Sequence, residues 1–280
     1  MKLMRVLQKV YCEPWLIRPD FHARIADIVK LHAAGNEAQI KANLAMMGLD
    51  IEEPEDIECE MIGAVAVLPI QGVIGKRVGM LQKTSGVTDI DEVSALFNST
   101  MADPSVKAIL LDIDSPGGTV GGVMEFAELI RDCRSDKPVW AFTDGDMDSA
   151  AYWIGSACGH IAATSSACVG SIGVYLPLID QSRAYEMAGY KAEVIKAGEL
   201  KAIGVPGTSL TSEQRAHLQS QVDYLCDMFK ASVNEGRGKT IDPSFMQGQA
   251  LYAPQALAAG LIDDVVSNRQ EVIDGLNKCC

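Results

Sequence analysis

Between residues 63 and 196 the sequence repeatedly changes its period. Short apolar runs at residues 63–70, 106–113, 138–142, 161–164 and 191–196 read as strands. They are separated by stretches in which apolar residues recur every three to four positions, at 88–101, 120–133, 149–157 and 179–188, and these read as helices. The run at 106–113 is rich in branched residues and enters a glycine turn, Asp114-Ser115-Pro116-Gly117-Gly118. A strand of that kind is apolar on both faces, as a central parallel strand must be when helices cover it above and below. The alternation therefore predicts an α/β fold with a largely parallel sheet. A longer amphipathic helix over residues 212–234, capped by Thr211 or Ser212, follows the sheet.

Residues 1–60 have a different character. Pro14-Trp15-Leu16-Ile17-Arg18-Pro19 reads as an extended hook, because each proline disfavours the helical region in the residue before it. Asp20 is then placed to cap a helix to about Ala34, with Ile25, Ile28, Val29 and Ala33 on one face. Gly35-Asn36 would end that helix, and residues 37–47 suggest another. Residues 51–60 contain six acidic side chains and a proline, which suits a solvated linker. No chemistry is visible in this arm, and it reads as a packing or oligomerisation element. Farther on, Thr88 is a candidate N-cap, with Asp91 completing an acidic first turn.

The formal net charge of −13 argues against duplex DNA or an anionic membrane as partner for the surface as a whole. No run of 18 or more apolar residues is present, so no membrane span is expected. The start, Met1 to Leu7, begins like a signal peptide. Gln8, Lys9, Tyr11, Cys12 and Glu13 then interrupt it and no small-residue cleavage site follows, so a cytoplasmic location is expected. The eight cysteines contain no C-x-x-C spacing for zinc. Cys158 and Cys168, in small apolar runs, read as buried thiols, and a reducing compartment predicts free cysteines.

A serine hydroxyl attacks a carbonyl only when a base takes its proton. Of the four histidines, His22 and His32 fall in the arm and His217 in the late helix. His160 follows Gly159 where a helix should end, which suits a C-terminal cap. A lysine can replace histidine when an apolar setting lowers its pKa from about 10.4 towards neutrality. Lys201 lies among Leu200, Ala202 and Ile203, with Gly198 and Gly204 nearby; Lys196 is its competitor. Ser149 precedes Ala150-Ala151 and is read either as a helix N-cap or as a nucleophile at a helix N-terminus, whose amides can hold an oxyanion. Gly117-Gly118 is likewise either an ordinary strand-to-helix turn or a source of unshielded N–H donors. A phosphate cradle is disfavoured, since no G-x-x-x-x-G-K-[ST] or G-x-G-x-x-G is present.

In order, the chain carries Asp112-Ile113-Asp114-Ser115-Pro116-Gly117-Gly118, Asp148-Ser149-Ala150-Ala151-Tyr152-Trp153, Gly170-Ser171-Ile172-Gly173-Val174 and Lys196-Ala197-Gly198-Glu199-Leu200-Lys201. Phe229, Val233, Arg237 and Ala256-Leu257…Gly260-Leu261-Ile262-Asp263 follow. This series, over roughly residues 63–267, resembles the signal-peptide-peptidase-A-like serine peptidases. With Pro14-Trp15-Leu16-Ile17 in the arm, it looks most like the phage head maturation (capsid assembly) proteases among them. The resemblance implies a Clp/crotonase-like fold of repeated ββα units, with an N-terminal helical arm. It implies Ser149 as nucleophile, Lys201 as general base, and oxyanion donors from Gly117, Gly118 and Ala150. It implies no metal and no cofactor. The expected partners are scaffold, portal or capsid proteins as substrates and copies of the same chain in a ring, in the host cytoplasm or the procapsid. Asp148 departs from the family pattern, since many relatives have Ala before the serine. The implied division is an arm and acidic linker at 1–60, a peptidase domain at 61–268 and a tail at 269–280. Alternatives on the same residues are a host soluble peptidase, an inactive ring-forming scaffold, and an acyl-CoA enzyme using the glycine turn.

Overall fold

The computed structural model describes residues 13–33, 57–78 and 86–279. The expected helix at 37–47, its preceding Gly35-Asn36 stop, most of the acidic linker, Cys12 and Cys280 lie outside them. In chain order the first half comprises β1 (Trp15–Ile17), α1 (Pro19–Ala33), β2 (Glu60–Ile62), β3 (Val65–Gln71), β4 (Val73–Gly75), β5 (Val87–Asp89), α2 (Ile90–Ala102), β6 (Ala108–Asp114), β7 (Gly117–Thr119) and α3 (Val123–Cys133). The second half comprises β8 (Val139–Thr143), β9 (Asp146–Asp148), α4 (Ala150–Ser156), β10 (His160–Thr164), β11 (Cys168–Gly170), α5 (Ser182–Met187), α6 (Ser212–Gly236), β12 (Ala250–Tyr252), α7 (Ala253–Ala258), β13 (Asp264–Val266) and α8 (Arg269–Cys279).

The strands β13-β10-β8-β6-β3-β2 form one sheet in that order. All its neighbours pair in parallel except the edge strand β2, which runs antiparallel to β3. Ala108, Ile109, Leu110 and Leu111 of β6 are all buried, as a strand covered on both faces requires. One face packs on α2, α3 and α4 through Phe97, Phe126, Ile130 and Ile154. The other is closed by α8 with Val272, Ile273 and Leu276. Each long parallel strand then leads into a short one outside the sheet: β3 into β4, β6 into β7, β8 into β9 and β10 into β11. The short strands form two smaller sheets, β1-β7-β4-β5 and β12-β11-β9. Repeated strand–short strand–helix units of this kind make the Clp/crotonase-like α/β fold.

Several local expectations change. Asp89 rather than Thr88 caps α2, because its carboxylate reaches the Asp91 amide at 3.0 Å while Thr88 is taken up in β5. Helix α1 begins at Pro19, so Asp20 sits in its first turn instead of capping it. Residues 191–196 form no strand. They have no neighbouring ladder to satisfy their backbone, and Val194 and Ile195 stay exposed. The helix expected at 179–188 shortens to α5. His160 opens β10 instead of capping α4; its ring lies 4.3 Å from that of Trp140, and its Nε2 stands 3.1 Å from Asp264 Oδ2. Cys158 is buried, but Cys168 is only half-buried. Thr211 caps α6 through a reciprocal box with Gln214.

Candidate active site

Strand β9 ends at Asp148 and α4 begins at Ala150, so Ser149 alone makes the turn between them. It does so at φ 56° and ψ −115°, a conformation that costs a non-glycine residue energy. Both sides of the residue are tied down. Its N–H donates to the Gly170 carbonyl on β11 at 2.7 Å, and its carbonyl accepts from Trp153 N–H inside α4 at 2.9 Å. Its hydroxyl makes no cap hydrogen bond, although the residue stands at the N-cap. The fold thus holds a serine in a strained turn at a helix N-terminus without using its side chain for structure.

The glycine turn is pressed against it. A Cβ on Gly117 would stand 2.9 Å from Ser149 Cβ, 3.0 Å from the Asp148 carbonyl oxygen and 2.1 Å from that of Leu16. Gly117 also has φ +101°, so both space and backbone require glycine there. A Cβ on Gly118 would stand 1.9 Å from the Ile74 carbonyl oxygen, so β7 and β4 approach too closely for any side chain. The Gly117 amide donates to Ser115 Oγ at 3.2 Å. Ser149, Gly117, Gly118 and Ala150 are therefore gathered where the strand turn meets the start of α4.

Among the described residues no hydrogen bond or ion pair ties the Lys201 side chain to this group. Lys201 is exposed in the turn-rich segment between α5 and α6, where its amide donates to the Gly198 carbonyl at 3.1 Å. Lys196 is held by its own loop, with Nζ 2.7 Å from the Glu199 carbonyl oxygen and 3.0 Å from its carboxylate.

Charged groups flank the serine: Asp148, which departs from the family pattern, and Arg18 and Asp146, to which the sequence alone assigned no part in the site. Asp148 is fully buried, and neither of its carboxylate oxygens has a hydrogen-bond partner. Arg18 Nη1 stands 3.5 Å from Asp148 Oδ2, a charge contact, and 2.9 Å from Asp146 Oδ1, a hydrogen bond. Arg18 also pairs with Asp20 at 3.0 Å. Burial first, and then the neighbouring Asp146 charge, push the Asp148 carboxyl up to about 7, while Arg18 acts in the opposite sense. The one sequence signal for Arg18 is a lone cation set between an apolar triplet and a proline. Among the described residues no cluster of three or more His, Cys, Asp or Glu side chains could hold a metal.

A serine hydroxyl beside unshielded backbone amides and a helix N-terminus is an arrangement for attack on a carbonyl carbon. The family comparison agrees in class: the profile of Peptidase family S49 matches residues 131–278, more than half of the chain, and the chain belongs to that family. Capsid assembly protease C of Escherichia phage lambda is 33% identical over 232 residues, covering 82% of this chain and 53% of the relative. The putative signal peptide peptidase SppA of Enterococcus faecium is 28% identical over 182 residues, covering 63% of this chain and 52% of the relative. The chain thus spans about half the length of these relatives. A solved structure, the 1510-N membrane-bound stomatin-specific protease with a substrate peptide, superposes with a TM-score of 0.46 at 17% identity, covering 76% of this chain and 79% of that one.

Proposed function

We propose that this chain is a serine endopeptidase with Ser149 as nucleophile and Lys201 as general base. The observation that carries the reading is the strained Ser149, held against Gly117 with its hydroxyl released from capping. In this mechanism Ser149 Oγ attacks the scissile carbonyl and passes its proton to Lys201 Nζ. The oxyanion is held by backbone amides. Gly118 and Ala150 supply these donors together with Gly117, whose N–H donates to Ser115 Oγ at 3.2 Å in this conformation. The C–N bond then breaks as the lysine returns the proton to the leaving amine, and water hydrolyses the ester under the same base.

In this reading the base reaches Ser149 from a second copy of the chain, an arrangement that the exposure of Lys201 on its own subunit favours over one within the chain. The segment around it exposes Ile179, Met187, Tyr190 and Ile195, a surface suited to burial against another subunit. The likeness to a phage capsid assembly protease supports scaffold and head proteins as substrates during capsid maturation. Replacing Ser149 by alanine should lower cleavage of a co-expressed scaffold protein at least about a thousandfold, followed by intact mass. Cleavage at the parent rate by that variant would sink the reading.

A further inference from the structure

The serine that must meet a substrate carbonyl is 1% exposed, and the N-terminal strand runs along the glycine turn that is pressed against it. Strand β1 is bonded along both edges. On one edge it runs antiparallel to β7, with Ile17 opposite Gly117, Leu16 opposite Gly118 and Trp15 opposite Thr119. On the other, Trp15 exchanges both backbone hydrogen bonds with Tyr175, at 2.8 and 3.2 Å. Arg18 N–H donates to the Pro116 carbonyl at 3.1 Å. Hydrogen-bonded pairs alternate along an antiparallel ladder, so Leu16 and Gly118, the next such pair, turn their amide and carbonyl groups toward each other. The Leu16 carbonyl thus engages one of the amides that the proposed mechanism assigns to the oxyanion. The site of the missing Gly117 Cβ lies 2.1 Å from this oxygen and 2.9 Å from Ser149 Cβ, so the oxygen is within about 5 Å of the Ser149 Cβ.

We infer that β1 occupies the groove that takes a substrate's extended backbone, so the chain in this conformation is latent until residues 15–18 lift away. The inference rests on the peptidase reading above. An incoming peptide would add as a strand between β7 and Tyr175 and reproduce the same main-chain bonds. Trp15, Leu16 and Ile17 are all buried there, so the groove accepts an extended apolar segment. Arg18 latches the arm to the strand leading into Ser149 through Asp146 and Asp148. Apart from Leu16, the arm packs in its own small cluster of Trp15, Ile17, Ala26 and Val29, separate from the main core.

The test is the rate at which a fluorophosphonate probe labels Ser149 in the full chain. Parent, Arg18→Ala and Leu16→Pro are compared, Ser149→Ala gives the background, and cooperative unfolding of each variant confirms that it is folded. Arg18→Ala removes the latch and leaves the apolar strand intact, so it carries the test if Leu16→Pro does not fold. Labelling should accelerate at least tenfold in the variants, and a synthetic peptide of residues 13–20 added in excess should slow it again. Equal labelling of parent and Arg18→Ala, with no effect of the peptide, overturns the latent-strand inference and leaves the peptidase intact. No Ser149-dependent labelling in any of them overturns the peptidase reading and the inference with it.

Discussion

Asp148 is a carboxylic acid sealed beside a nucleophile, and its proton ties the site to the stability of the whole fold. Burial and the charge of Asp146 raise its pKa to about 7 in the native state. In the unfolded chain it ionises near 4, as an ordinary aspartate does. Between those two values the native state keeps a proton that the unfolded state has lost, so native stability falls as pH rises through this window. The contribution is complete below about pH 4 and gone above about pH 7. Asp148→Asn has the shape of the protonated acid and cannot ionise. Its denaturant midpoint should therefore drop less than the parent's between pH 5 and pH 8. Equal drops in the two proteins would mean that Asp148 is ionised in the fold throughout.

The element that fixes the site is α4, seven residues long and buried from end to end. Its Trp153 ring lies flat on Phe229 of α6, with centroids 4.6 Å apart and planes 4° from parallel. Arg134 donates to the carbonyls of Ala157, Cys158 and Gly236, so one guanidinium closes the ends of both helices. Phe229→Ala should lower stability by about 3–5 kcal/mol in a denaturant titration, by cavity formation and loss of the stack. A loss below about 1 kcal/mol would mean that α6 is not what holds α4 in place. The long strands and α2, α3 and α6 were legible because a buried parallel strand and an amphipathic helix each have a period. Strands β7, β9 and β11 are three residues each, too short for any period; β7 read as a glycine turn, and β9 and β11 were not read as elements. Ser149 and the glycines stood out as motifs. Arg18 did not, because its meaning is a contact with Asp146 128 positions away that no local pattern encodes.

At the scale of the whole molecule, Lys201 is exposed and Ser149 is buried, and the proposal joins them across two chains. Ser149→Ala and Lys201→Ala, each inactive alone, should regain cleavage when mixed as unfolded chains and refolded together. If the base crosses a head-to-tail interface, an equimolar mixture recovers on the order of a quarter of parent activity, the chance that an intact serine faces an intact lysine. No recovery, with assembly intact, would place the base in the same chain as its serine. The main sheet carries a consequence for how such a chain is made. Its order, β13-β10-β8-β6-β3-β2, follows the sequence from one edge to the other. A chain leaving the ribosome can therefore lay each long strand against the edge left by the one before it, and none has to be threaded between two already joined. Synthesis itself extends the sheet, and the last strand, β13, arrives only after β12 and α7 have closed over β11.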